Sequence, residues 1–112
     1  NTKVIRSSAG SVFTTPWIIM SSKMVSEWLA KTDFIIYRLE NKKGAQELNV
    51  KSSKFLSTDQ IIIIVGSEGH GIKLQVSGQA IAIRHEPSVD SLNVAAAVAI
   101  ALFLRYQNNN KL

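Results

Sequence analysis

The feature that most constrains the fold is a run of five β-branched residues, 61–65, followed at once by a turn with three glycines, residues 66–71. A β-branched run without polar alternation predicts a strand buried on both faces, as at the centre of a parallel sheet. Ligands of open α/β sheets bind beyond the carboxyl ends of such strands. The sequence therefore predicts a parallel sheet with a candidate binding turn at its carboxyl edge.

Strand and helix patterns alternate along the rest of the chain. Strand composition is found in three other short segments, residues 17–20, 34–39 and 79–84. Helical patterns are found in three segments, residues 3–13, 22–31 and 91–107. The polar, lysine-rich stretch 41–58 is predicted to be a surface loop with room for a short helix. This alternation predicts an α/β fold with a mostly parallel sheet and helices on both faces.

Composition limits the class of protein. The 112 residues are enough for one domain, and the lack of cysteine excludes disulfides, zinc–thiolate sites and thiol nucleophiles. The longest apolar run, residues 94–104, is shorter than the about 20 residues that span a membrane, so we expect a soluble protein. Residues 1–59 carry nine basic and five acidic side chains within a net charge of +5. This excess favours a polyanion partner such as nucleic acid, although an ordinary basic surface is the alternative.

The glycine turn departs from two nucleotide-binding patterns. Its order is Gly-x-x-Gly-x-Gly rather than Gly-x-Gly-x-x-Gly, and Ile72 stands where a phosphate loop needs lysine. Glu68 would repel a phosphate, so a neutral or cationic ligand is expected, with a plain strand-to-helix turn as the alternative. His70 and His85, taken with Glu68 and Glu86, lack the spacing of a ligand pair, so no metal site is predicted.

The last predicted helix begins near Ser91, with Asp90 or Ser91 as its cap. Asn93 lies in its first turn and offers both a donor and an acceptor, so either a functional or a capping role is open. Residues 94–104 are apolar on nearly all sides of this helix. A small domain cannot bury every side of its last helix, so the surplus face predicts a partner, most simply a second copy.

Three motifs follow one another in order. They are Gly66-Ser-Glu-Gly-His-Gly71 after a strand, Ile81-Ala-Ile83, and Val89-Asp-Ser-Leu-Asn-Val94 at the start of an alanine-rich helix. In this order they resemble the SpoU (TrmH-like) branch of the SPOUT RNA methyltransferases, and residues 6–16 resemble the segment before that family's third strand. The resemblance implies a C-terminal trefoil knot, an exception to the rule that chains do not knot. It also implies that residues 1–112 are the C-terminal portion of the domain, with its N-terminal part missing.

The resemblance further implies methyl transfer from S-adenosylmethionine to a ribose 2′-hydroxyl of transfer or ribosomal RNA. It implies cofactor contacts from seven residues, Gly66, Ser67, Glu68, Gly69, Gly71, Ile83 and Leu92. It implies catalytic positions at three residues, Ser91, Asn93 and Glu68, of which Ser91 and Asn93 face the methyl group and the ribose. A homodimer with the last helix at its interface is expected, located in the cytoplasm or alternatively in a mitochondrion or other organelle.

The sequence also departs from the family pattern. The family's first motif, an asparagine followed by an arginine, has no counterpart, and Arg6 matches a different position. The family's Ile-Pro-Met is Ile83-Arg84-His85 here, and the stretch between Gly71 and Ile81 is short. One alternative is therefore a non-catalytic SPOUT-like module that binds RNA or a protein, for example in ribosome assembly. Another is a small α/β dimer with an unrelated ligand.

Overall fold

A computed structural model describes residues 15–57, 59–67, 70–84 and 93–110. The elements are α1 (Ser22–Leu29), β1 (Ile35–Leu39), β2 (Gln46–Glu47), β3 (Ile61–Ile64), β4 (Gln79–Ala82) and α2 (Val94–Asn109). The helix predicted within residues 3–13 lies outside the described residues.

The four strands form one parallel sheet in the order β2-β4-β1-β3. This confirms the α/β class and the parallel sheet. The central position predicted for β3 is wrong for the described sheet, where β3 is an edge strand and all four of its isoleucines are half-buried. The reason is physical. A β-branched run indicates that other elements cover both faces of a strand, but it does not indicate whether both edges of that strand are hydrogen-bonded to neighbouring strands.

One face of the sheet carries the hydrophobic core. Side chains alternate along a strand, so Tyr37, Ile63 and Ile81 point to the same side, where they pack with Phe55 and with Ala101 of α2. The Tyr37 and Phe55 rings meet edge to face with centroids 5.0 Å apart. The alternate residues of β1, among them Arg38, point to the opposite face.

The stretch 41–58 differs from the predicted surface loop. It contains β2, which pairs with β4, and it buries Leu48, Phe55 and Leu56 in the core. Lysines are interspersed among the apolar residues of this stretch and lower its mean hydropathy. Successive turns keep the lysine side chains exposed while those three apolar side chains are buried. A short strand without an apolar signal is defined by its pairing with β4 and not by its own composition.

The prediction of a buried strand at residues 17–20 is wrong. Trp17, Ile18 and Ile19 are 66%, 77% and 86% exposed, and no described strand pairs with them. An apolar run indicates hydrophobicity, but it becomes a strand only beside a partner that accepts its backbone hydrogen bonds. The following helix is confirmed as α1, with Ser21 as the N-cap, its Oγ accepting from the Met24 amide at 3.2 Å.

The last helix is confirmed as α2, two residues longer at its end than predicted. One side of α2 packs on the core through Ala101 and Leu104. Its other side leaves Leu102, Phe103 and Tyr106 more than half exposed, which agrees with the predicted surplus of apolar surface. Within the described residues, no helix is long and apolar enough to cross a membrane.

Candidate functional site

Three strands of the sheet end side by side at its carboxyl edge. Gly66 follows β3, Glu40 follows β1 and Ile83 follows β4. Arg38 is in register with both Ile64 and Ala80, so Glu40, two residues later, lies between the ends of β3 and β4. With adjacent strands about 4.8 Å apart, the backbones at Gly66 and Ile83 are about 10 Å apart.

The glycine turn after β3 is tight. The Ser67 carbonyl accepts hydrogen bonds from the amides of His70 at 3.3 Å and Gly71 at 3.1 Å. Gly71 has a φ of +69°, a conformation that favours glycine. A side chain at Gly66 would meet the backbone of Gly71, so both ends of the turn need glycine. Within this turn, the predicted cofactor residues Glu68 and Gly69 lie outside the described residues.

The start of α2 is capped by Asn93, and not by Asp90 or Ser91 as predicted. The Asn93 Oδ1 accepts from the amides of Ala95 at 2.8 Å and Ala96 at 3.3 Å. The capping role left open by the sequence is therefore observed. The segment 85–92 lies outside the described residues, and it contains the predicted site residues Ser91 and Leu92 together with His85 and Glu86.

The structure reveals a residue at this edge that the sequence analysis missed. Arg38 donates from its Nη1 to the carbonyls of Leu74 at 2.9 Å and Val76 at 2.7 Å, and from its Nε to the Glu40 carboxylate at 2.7 Å. A signal was present, because an arginine inside an apolar strand, with a glutamate two residues later on the same face, indicates a partly buried ion pair.

Charged side chains at the carboxyl edge form ion pairs, and several of them are exposed to solvent. The hydrogen bond from Arg38 is the main reason why the pKa of Glu40 is lowered, and the nearby positive charges of Arg38 and Lys42 add to the effect. The Lys42 Nζ lies 3.5 Å from the Glu40 Oε2, and the Arg84 Nη1 lies 3.8 Å from the Glu47 Oε1. In the part of the chain that the structure describes, no three acidic or histidine side chains form a group that could hold a metal ion.

A parallel sheet whose central strand ends between a glycine turn and a second strand end is typical of α/β proteins that bind a ligand at the carboxyl edge. The sequence matches the SpoU rRNA Methylase family over residues 1–103, so the chain belongs to this family of RNA methyltransferases within the SPOUT superfamily. This confirms the family predicted from the three motifs. Comparison with curated proteins and with solved structures gave no significant match.

Proposed function

We propose that this chain transfers a methyl group from S-adenosylmethionine to a ribose 2′-hydroxyl of transfer or ribosomal RNA. Family membership supports RNA methyl transfer, and members of the SpoU family generally use this cofactor. The observation that carries the proposal is the convergence of the Gly66 turn and the Ile83 end of β4 on either side of Glu40.

The residues at the carboxyl edge fit an adenosine. Backbone groups at two strand ends lie about 10 Å apart, and Val65 offers an apolar side chain that is 42% exposed beside Gly66. The turn at Gly66 brings backbone, rather than side chains, to the edge. We assign cofactor binding to Gly66, Ser67, Glu68, Gly69, Gly71, Ile83 and Leu92.

In the proposed mechanism, this chain mainly binds and orients the reactants. When bound, S-adenosylmethionine supplies a methyl group on a positively charged sulfur. Ser91 and Asn93 would hold the ribose with its 2′-hydroxyl toward the methyl donor, and such positioning would remove much of the entropic barrier. The bond from the 2′-oxygen to the methyl carbon would form as the carbon–sulfur bond breaks, S-adenosylhomocysteine would leave, and the hydroxyl proton would pass to water or to a general base. Glu68, which belongs to the turn by its sequence, would supply a negative charge that suits a cationic donor.

The exposed cations at the same edge are proposed to bind RNA phosphates. Lys42 is 57% exposed just after β1, Lys43 follows it, and Arg84 is 83% exposed after β4. Phosphate contacts of this kind position a nucleic acid without reading its sequence. They therefore support binding of RNA near the proposed methyl donor, but not a choice of nucleotide.

Two measurements test the proposal. Calorimetric titration with S-adenosylmethionine is expected to give a binding isotherm, and the absence of heat at millimolar ligand rejects it. Incubation with bulk RNA and labelled cofactor, followed by digestion to nucleosides, is expected to give 2′-O-methylated products. RNA binding without cofactor binding would instead favour the alternative, a non-catalytic SPOUT-like module.

The role of Asn93 can be separated from its observed cap. Asn93→Asp keeps the capping oxygen, and its charge is favourable at a helix N-terminus. Asn93→Ala removes the cap, at a cost of about 1 kcal/mol in stability. If Asn93 orients the ribose, both variants lose methyl transfer while only the alanine variant loses stability. A wild-type rate in Asn93→Asp removes Asn93 from the mechanism.

The knot and the dimer of the family are also proposals for this chain. We propose that the C-terminal segment of the chain threads through a loop to form the trefoil knot, which a complete experimental chain trace decides. We propose a homodimer through the exposed face of α2, which includes Leu102, Phe103 and Tyr106. Phe103→Glu is then expected to halve the mass measured by sedimentation, and an unchanged mass contradicts this interface.

A further inference from the structure

Residues 72–78, here called the crossing segment, connect the glycine turn to β4. Parallel strands are usually joined by a helix, which satisfies its own backbone hydrogen bonds. The described residues between β3 and β4 contain no helix. Ile72, Leu74 and Val76 of the crossing segment are half-buried and the other residues are exposed, so the carbonyl groups that are shielded from water need partners from outside the segment.

Arg38 is the hydrogen-bond partner of two of these carbonyl groups. Its guanidinium lies on the face of β1 opposite the core, and its Nη1 binds the carbonyls of Leu74 and Val76. The Arg38 side chain is only 13% exposed, and Glu40 balances its charge through the 2.7 Å contact with Nε. A charge-assisted hydrogen bond from a partly buried guanidinium is stronger than a neutral one.

The crossing segment lies directly against β1. A side chain at Gly78 would come within 2.9 Å of the Ile36 Cγ2 and 3.2 Å of the Arg38 Cγ. The segment is thus fixed at its end by close packing on Ile36 and in its middle by Arg38. The residue before the segment is Gly71, whose amide donates to the Ser67 carbonyl of the glycine turn.

We propose that Arg38 is a positioning residue of the cofactor site. The crossing segment joins the glycine turn at one end to β4 at the other, and β4 leads to Ile83. By binding this segment, Arg38 fixes the position of the glycine turn relative to β4. Arg38 does not contact the reacting atoms in this arrangement, and its effect passes through backbone position. This role of Arg38 rests on the proposed function, which assigns the S-adenosylmethionine site to the carboxyl ends of β3 and β4.

Arg105 provides a matched control. Its guanidinium also donates to two loop carbonyls, those of Phe55 and Asp59, but this loop leads into the opposite, amino end of β3. Arg38→Met and Arg105→Met thus remove the same chemical group and the same kind of contact at two different edges of the sheet. Arg38→Lys is a milder variant, since an ammonium keeps the charge but lacks the planar fork of donors.

The first measurement is amide hydrogen exchange of the full chain without ligand. Arg38→Met is expected to speed exchange about tenfold at the amides of His70 and Gly71, which bond to the Ser67 carbonyl, and to leave residues 53–57 unchanged, because only the crossing segment next to that turn loses a partner. Arg105→Met is expected to give the reverse pattern. An equal acceleration throughout the chain, including Tyr37 in β1, overturns the proposal because it indicates global destabilisation only.

The second measurement is binding of S-adenosylmethionine and S-adenosylhomocysteine. Arg38→Met is expected to weaken both ligands by about tenfold, the change that corresponds to 1.4 kcal/mol, because they share the adenosine. The rate of methyl transfer at saturating cofactor is expected to stay within about threefold of wild type. The affinity of Arg38→Lys for both ligands is expected to lie between those of the wild type and Arg38→Met. Arg105→Met is expected to bind both ligands with wild-type affinity.

The outcomes separate the two proposals. Equal cofactor affinity in wild type and Arg38→Met overturns the role of Arg38 and leaves the proposed function in place. Failure of the wild-type protein to bind either ligand overturns the proposed function and, with it, the role of Arg38 toward a cofactor. The exchange pattern still decides in that case whether Arg38 fixes the crossing segment.

Discussion

Two arginines bind two loops at opposite ends of the sheet, and their surroundings differ. Arg38 binds the crossing segment at the carboxyl edge, with the Glu40 carboxylate as a third partner. Arg105 binds the helix-side loop, residues 53–57, and stacks over the Phe55 ring with its Cζ 5.6 Å from the ring centroid. The Arg38 contacts lie beside the candidate site, whereas the Arg105 contacts attach α2 to the core.

The comparison shows that a hydrogen bond from an arginine to loop carbonyls can either position a binding site or stabilise the fold. Around Arg105 the loop already contributes Phe55 and Leu56 to the core, and Asn108 of α2 adds a bond to the Leu56 carbonyl at 2.9 Å. The crossing segment contributes no residue to that core cluster, so its order depends more on Arg38. We therefore expect changes at the carboxyl edge to alter binding, and changes around Arg105 to alter the free energy of unfolding.

Gly66→Ala is expected to have the largest effect on the carboxyl edge. Its Cβ would meet the backbone of Gly71 and Ile72, so the turn must shift, and we expect cofactor affinity to fall about 100-fold, which corresponds to about 2.8 kcal/mol. Calorimetry with S-adenosylmethionine measures this loss of affinity. Gly44→Ala is the control for a glycine replaced without a clash, because no atom lies within 4 Å of its added Cβ, although the φ of +88° at Gly44 strains an alanine there. An equal loss of affinity in both variants contradicts the assignment of the turn.

Arg105→Met tests the other side of the comparison. It removes two hydrogen bonds from a cation and one ring contact, so we expect the free energy of unfolding to fall by about 2 kcal/mol. Urea denaturation measures this change, and Arg38→Met is expected to lose less. If Arg38→Met is the more destabilised variant, the distinction between position and stability is wrong.

Acid should affect the Arg38 contacts more than the Arg105 contacts. Because its pKa is lowered in the folded protein, ionised Glu40 stabilises the fold above about pH 4.3, its ordinary pKa, and this contribution is lost as the pH falls through the lowered value. Glu40→Gln is expected to lack this contribution, about 1 kcal/mol at neutral pH. Urea denaturation between pH 3 and 7 is then expected to give curves that converge in acid. Parallel curves for the two proteins would show that Glu40 is not a stabilising partner of Arg38, whose two other partners are carbonyls.

Much of the architecture could be predicted from the sequence, because it depends on local patterns. The apolar strand 34–39, the β-branched run 61–65 and the serine-capped helix α1 each have a signal within a few residues. β2 could not be predicted, because Gln46 and Glu47 form a strand only by pairing with β4. The position of β3 at the edge likewise depends on topology, which no property of four isoleucines specifies.

The candidate site divides in the same way. The glycine turn and the end of β4 were predicted from motifs, and the parallel sheet places them at one edge. The ion pair of Arg38 with Glu40 has a signal in the sequence, but the contacts of Arg38 with Leu74 and Val76 have none, because these residues bind through carbonyl groups that leave no trace in the residue type. Asn93 was identified as unusual, but its capping contacts depend on where α2 begins.

The smallest expected effect concerns the core side of β1. Tyr37 is 2% exposed, burial raises its pKa, and no described residue forms a hydrogen bond with its hydroxyl oxygen. Removing an unpaired buried hydroxyl costs little, so Tyr37→Phe is expected to change the free energy of unfolding by less than about 0.5 kcal/mol. The edge-to-face contact with Phe55 needs only the ring and is expected to remain. A loss above about 1 kcal/mol would mean that a residue outside the described ranges binds this hydroxyl. The region around Arg105 would then contain a polar contact of its own, and the contrast with the Arg38 edge would weaken.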